Sequence, residues 1–174
     1  LYCSLESVQN IKDYEKGIPA IIYAIKSAID FHPNFPNNVF DLNPDFNEFN
    51  VVLRKCLTNL CMKLDKPLVI LFDEVDCLSN GTLIMFLRQL RDGYVNRSRI
   101  QFVHSIGLIG MRNIRDYKGR IREEEETLGS ASPFNIVTKA MNLKNFTIDE
   151  VAELYAQHIE ETNQKFPQEV IDMV

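Results

Sequence analysis

The stretch KPLVILFDEVDCL, Lys66 to Leu78, runs five consecutive apolar residues, Leu68 to Phe72, straight into two adjacent carboxylates, Asp73 and Glu74. Asp76 follows two positions later. A short apolar run fenced by a proline predicts a strand buried on both faces, as in a parallel sheet. Buried strands do not normally end in three acids, so these need a reason.

The flanking sequence supplies the rest of the sheet. LYCSL at the start is short and apolar, consistent with a strand. IPAIIYAIKSAIDF (18–31) has helical apolar spacing, with Pro19 suited to a first helical turn. Residues 32–44 hold three prolines and four asparagines and predict a loop. Asp45 then opens a helix to about Asp65, with Phe46, Phe49, Leu53, Leu57, Leu60 and Leu64 at three- and four-residue steps. TLIMFLRQLRDGY (82–94) is a further amphipathic helix, and IQFVHSIGLIGM (100–111) a second long apolar strand. Strands alternating with helices imply βαβ crossovers and a parallel sheet with flanking helices, an α/β fold. Ligands of such sheets bind outside the carboxyl ends of the strands.

Beyond Met111 the chain is charged and loop-like to Ser132, including the EEEE run at 123–126. FNIVTKAMNL (134–143) predicts a last strand. Thr147 and Glu150 form a T-x-x-E capping box, opening a helix whose Val151, Leu154, Tyr155, His158 and Ile159 suit one buried face. Pro167 begins another helix. The expected division is an α/β core over 1–143 and the start of a helical lid over 144–174.

Composition bounds the function. The chain has 174 residues, 45% apolar and 25% charged, ordinary for a globular protein. No apolar run approaches the roughly 20 residues that span a bilayer, so no membrane partner is expected. LYCSLES carries no initiator Met and no signal-peptide pattern, and the chain reads as a piece of a longer protein. Cys3, Cys56, Cys61 and Cys77 include no C-x-x-C pair. That spacing fits neither a zinc site nor a disulfide framework, and points to free thiols in a reducing, cytoplasmic setting. Net charge is −5, but residues 88–122 hold nine Lys/Arg against two acids, a local +7. Such a field faces phosphate, an acidic partner or water.

At the end of a buried strand, a carboxylate is well placed to hold a hydrated divalent cation, which accepts only one or two protein oxygens. A second carboxylate one residue on can orient a water for in-line attack. An apolar strand followed by Asp-Glu is the Walker B pattern; the plainer alternative is a solvated pair capping the next helix. Four motifs in order narrow the choice: FDEVD (72–76), GMRNIRDYK (110–118), SPFNI (132–136) and L-x-NFT (143–147). Together they resemble a prokaryotic AAA-like family of P-loop ATPases, close to the signal-transduction (STAND) branch, over essentially the whole chain. The resemblance implies that Asp73 is the magnesium-side acid and Glu74 the catalytic base. It makes Arg112 a sensor-1-like catalytic group and Asn113 a nucleotide-contacting neighbour. Arg115, Lys118, Arg120 and Arg122 lie where an arginine finger could sit. ATP and Mg2+ are the implied cofactors, and protein partners or self-association the implied company.

The pattern fails at one place. None of the seven glycines begins G-x-x-x-x-G-K-[ST], and no Gly-Lys pair occurs. Phosphates need the backbone cradle, lysine and hydroxyl of that loop. The resemblance implies that strand and P-loop precede Leu1 in a longer parent, so this piece alone should bind ATP negligibly. It also implies that a strand is absent between the one ending at Asp73 and the one ending near Met111. Those two strands should then pair directly or leave open edges. The competing function is a non-catalytic interaction or scaffold domain with a degenerate NTPase fold. A D-E-x-D helicase reading lacks the Ser-Ala-Thr motif at the next strand, where HSIGLIG stands. Nucleic acid stays open as a partner of the 88–122 cations, though no aromatic platform interleaves with them.

Overall fold

A computed structural model describes residues 1–36, 39–40, 45–111 and 140–171. The chain divides into two compact units, Leu1–Thr138 and Lys139–Val174.

The first unit is mixed α/β. Three parallel strands, β1 (Tyr2–Ser4), β2 (Val69–Asp73) and β3 (Ser105–Leu108), lie in the order β1-β2-β3. Among the described residues three helices accompany them: α1 (Tyr14–Asp30), α2 (Val52–Met62) and α3 (Asn80–Asn96). The strand before Asp73 and the strand before Met111 pair directly, with Val69 opposite Ser105 and Phe72 opposite Leu108. β3 is shorter than the apolar run 100–111. The Ile100 amide still bonds back to Asn96 at the end of α3, while the His104 amide reaches Leu68 just before β2 and the Ile109 amide reaches Phe72 on β2.

A chain stepping one way across a parallel sheet, with crossovers of one hand, keeps its helices on one face. The burial follows. Cys3, Ile70 and Phe72 point into the core, and the Phe72 ring meets Phe86 of α3 edge-on at 5.1 Å. Val69 and Leu71 are 43% and 42% exposed, so β2 is buried on one face rather than both. The alternation was invisible in the sequence because both faces carry aliphatic residues.

Helix α1 begins four residues earlier than the apolar spacing indicates. Asp13 caps it, its carboxylate accepting from the Glu15 amide at 2.9 Å. Pro19 therefore sits inside the helix, where it cannot donate to the Glu15 carbonyl. Gly17 lets α1 approach α3: a Cβ there would stand 2.3 Å from Thr82 Oγ1.

The helix expected over 45–65 is broken. Asp45 caps only a 3-10 turn, Phe46–Glu48, and α2 starts at Val52. The cause is a wedge. In a continuous helix the Leu53 amide would bond to the Phe49 carbonyl. Instead Gln89 of α3 inserts its carboxamide between them, accepting from Leu53 at 2.9 Å and donating to Phe49 at 2.9 Å. Gln89 is 2% exposed, and it also accepts from the Arg54 amide at 3.2 Å. Arg54 in turn pairs with Asp92 at 2.7 Å.

All four cysteines are free thiols. Burial pushes Cys3 and Cys61 up to about 11. Among the described residues no helix is long and apolar enough to cross a membrane.

In the second unit, α4 (Ile148–Thr162) opens on the expected capping box, with Thr147 and Glu150 satisfying each other's backbone amides. Its apolar stripe is not buried: Val151, Tyr155 and Ile159 are half-covered, and Leu154 and His158 exposed. Asn163 ends the helix in left-handed conformation, and Phe166 folds its ring against Tyr155 at 4.9 Å. α5 (Gln168–Ile171) follows Pro167. Of the strand expected over 134–143, residues 134–139 lie outside the described residues and 140–143 form no strand.

Candidate functional site

Strand β2 is the central strand, and Asp73 is its last residue. The backbone is tied there on both sides: the Asp73 carbonyl accepts from Leu5 at 3.0 Å, and the Val75 amide donates to Ile109 at 3.0 Å. Between these anchors Glu74 takes left-handed backbone angles, φ 55° and ψ 37°. That conformation costs a residue with a Cβ about 1–2 kcal/mol. Two bonds hold it: the Glu74 amide to Asp73 Oδ1 at 2.8 Å, and the Cys77 amide to the Glu74 carbonyl at 3.0 Å. The turn swings the chain out of the sheet into the 3-10 turn Val75–Cys77 and on to α3.

Asp73 is doubly held. Tyr2 donates its phenol O–H to Asp73 Oδ2 at 2.6 Å, and Oδ1 receives the Glu74 amide. Glu74 differs, because its Oε2 is shut off from solvent and finds no hydrogen-bond partner among the described residues. Burial, then the charges of Glu6, Asp73 and Asp76, push its carboxyl above the ordinary glutamate range. The carboxylate of Asp76 lies against Gly110, where a Cβ would come within 2.7 Å of Oδ1. Tyr2 is raised as well, chiefly by its bond to Asp73.

The arrangement brings Asp73 and Glu74 together at the carboxyl end of the sheet, with Glu6 and Asp76 near enough to act on Glu74. Arg112, Asn113, Arg115, Lys118, Arg120 and Arg122 lie outside the described residues. Of the basic segment, Arg88, Arg97 and Arg99 are exposed, and Arg97 stacks 3.5 Å over the Tyr94 ring. A cleft of about 490 Å³ runs beside β1, lined among others by Tyr2, Ser4, Ala28 and Phe31, but it includes neither Asp73 nor Glu74.

Sequence reasoning missed Tyr2 and Glu6. Each meets the acidic turn only through the β1–β2 pairing, some 70 residues away in sequence. The one available signal was that Tyr2 and Ser4 share a strand face by alternation.

Comparison with protein-family models, with curated proteins and with solved structures returns no match for the chain.

Proposed function

We propose that this chain is the acidic, water-activating side of an ATP-hydrolysing AAA-like module in a larger signalling or regulatory protein. The observation that carries the reading is the pair at the end of the central strand. Asp73 is hydrogen-bonded through both carboxylate oxygens, and Glu74 is set in a strained turn with an oxygen that has no partner among the described residues. Strained backbone and orphaned buried polar atoms cluster at working sites.

The donor set fits a hydrated Mg2+. Asp73 retains spare lone pairs on both oxygens, and Mg2+ keeps most of its water while taking one or two carboxylates. It does not fit a cation caged by protein alone: among the described residues no group of three or more His, Cys, Asp or Glu could hold one. When bound, the cation would neutralise charge on the phosphates. Asp73 would accept hydrogen bonds from its water shell. Glu74 would orient the attacking water and take its proton, a role its raised pKa suits. The triphosphate itself does not fit these residues alone, since the sequence contains no G-x-x-x-x-G-K-[ST] loop. In this reading the cradle comes from chain outside these 174 residues, and Arg112 and Asn113 serve the γ-phosphate.

The same lack of a cradle favours the second reading, a non-catalytic scaffold with an NTPase-like sheet. One experiment separates them. In the full-length protein, Glu74→Gln should slow ATP turnover at least tenfold and leave ATP affinity within twofold of wild type. Turnover unchanged by Glu74→Gln, or no turnover in wild type, sinks the ATPase reading in favour of the scaffold. The 174-residue chain alone should show no micromolar ATP binding by calorimetry.

A further inference from the structure

We infer that Tyr2 is a positioning residue for the Asp73 carboxylate, fixing it in the one orientation from which it can accept a cation's water; this rests on the metal-side reading of Asp73. The register shows how Tyr2 reaches it. Ser4 stands directly opposite Asp73, and its hydroxyl accepts from the Glu6 amide at 3.2 Å. Tyr2 stands opposite Leu71, one strand repeat back on the same sheet face as Asp73. Side chains in a strand lean along its direction, and an aromatic ring is long enough to reach a diagonal neighbour. The phenol arrives at Asp73 Oδ2 at 2.6 Å, within the short range of a charge-assisted O–H···O⁻ bond.

Packing does not account for this placement. Tyr2 keeps 56% of its surface exposed on the uncovered face of the sheet. The bond has a specific consequence. With Oδ1 held by the Glu74 amide and Oδ2 by the phenol, the carboxylate cannot rotate, yet each oxygen keeps a free lone pair. Partners that orient a metal's carboxylate in this way typically change affinity 10–100-fold when removed.

Terbium is the probe, because a tyrosine beside a bound lanthanide sensitises its emission and this chain has six tyrosines and no tryptophan. Wild type should show saturable, tyrosine-excited terbium emission, and Asp73→Asn should lose it. Tyr2→Phe, which removes one exposed oxygen, should weaken terbium binding about tenfold by calorimetry, with far-UV circular dichroism unchanged. In the full-length protein, Tyr2→Phe should raise the Mg2+ concentration for half-maximal turnover, and excess Mg2+ should restore kcat. A general structural defect would not be rescued that way.

Loss of binding in Asp73→Asn with Tyr2→Phe within twofold of wild type overturns the role of Tyr2 and leaves the metal reading standing. Equal binding in wild type and Asp73→Asn overturns the metal reading and the role of Tyr2 with it. A Tyr2→Phe chain with altered circular dichroism and a turnover defect that excess Mg2+ does not rescue also overturns the positioning role.

Discussion

The Gln89 carboxamide occupies the place of a helical hydrogen bond, taking the Leu53 amide at 2.9 Å and returning a donor to the Phe49 carbonyl. The wedge ties α3 to the start of α2 and gives α2 the cap that Val51 cannot provide. Replacement by leucine strands the buried Leu53 amide and takes the partner from the part-buried Arg54 amide and Phe49 carbonyl. The helix cannot close over the gap, because Phe49 is held by Tyr14 at 5.3 Å and Phe46 by a stack on Tyr23 at 5.9 Å. Gln89→Leu should therefore destabilise the first unit by about 2–4 kcal/mol, at 1–3 kcal/mol for each stranded group with some relaxation. The urea midpoint measures it, and a loss below about 0.5 kcal/mol would refute the wedge.

Gly17 tests the contact between α1 and α3. In an open helix, Gly→Ala gains about 1 kcal/mol. Here the new methyl would sit 2.3 Å from Thr82 Oγ1 and 2.6 Å from its Cγ2. Thr82 is fully buried, and its hydroxyl is bonded to the Ile11 carbonyl at 3.2 Å, so it has little room to yield. Gly17→Ala should lower stability by about 1–3 kcal/mol, and Gly17→Ala with Thr82→Ala should lose less than the two single changes added together. Additive losses in a double-mutant cycle would show that the clash is absent.

The raised pKa of Glu74 makes a pH prediction with a definite sign. Its folded value lies above its unfolded one, so the native state binds this proton more readily. Between the two values the native state holds more protons, and stability falls as pH rises through that window. Above it the penalty is complete and constant. Glu74→Gln should therefore be more stable than wild type at about pH 7, and its advantage should shrink as pH falls through the raised folded value and be gone below the ordinary glutamate range near about 4.3. Melting temperatures across the range decide it; an advantage that grew on acidification would reverse the sign.

These residues also mark what a sequence can display. The β2 strand and the adjacency of Asp73 and Glu74 were legible because they lie within one window, and the capping box at Thr147 and Glu150 for the same reason. Gln89 was not, since its partners Leu53 and Phe49 are 36 and 40 residues away and a glutamine inside an amphipathic stripe reads as surface. Tyr2 reaches Asp73 over 71 residues. The uncovered face of β2 escaped notice because Val69 and Leu71 are as apolar as Ile70 and Phe72. The start of α1 lies ahead of the apolar spacing, which begins at Ile18, because the Asp13 cap needs no apolar neighbour.

The capping box of α4 carries the opposite pH sign to Glu74. The Thr147 amide, and then its hydroxyl, hold the Glu150 carboxyl below the ordinary glutamate range. A depressed folded value means that the contribution is fully present above the unfolded pKa and disappears as pH falls through the folded one. With no buried residue in α4, the helix depends on its ends more than a core helix does. Glu150→Gln, the isostere of the protonated side chain, should reduce helical signal from residues 148–162 at neutral pH. Acidification should then remove little more from that variant, while wild type converges on it as Glu150 protonates. Site-resolved amide exchange across Asp149–Val151 follows this directly, and equal acid sensitivity in both proteins would show that the box does not hold the helix.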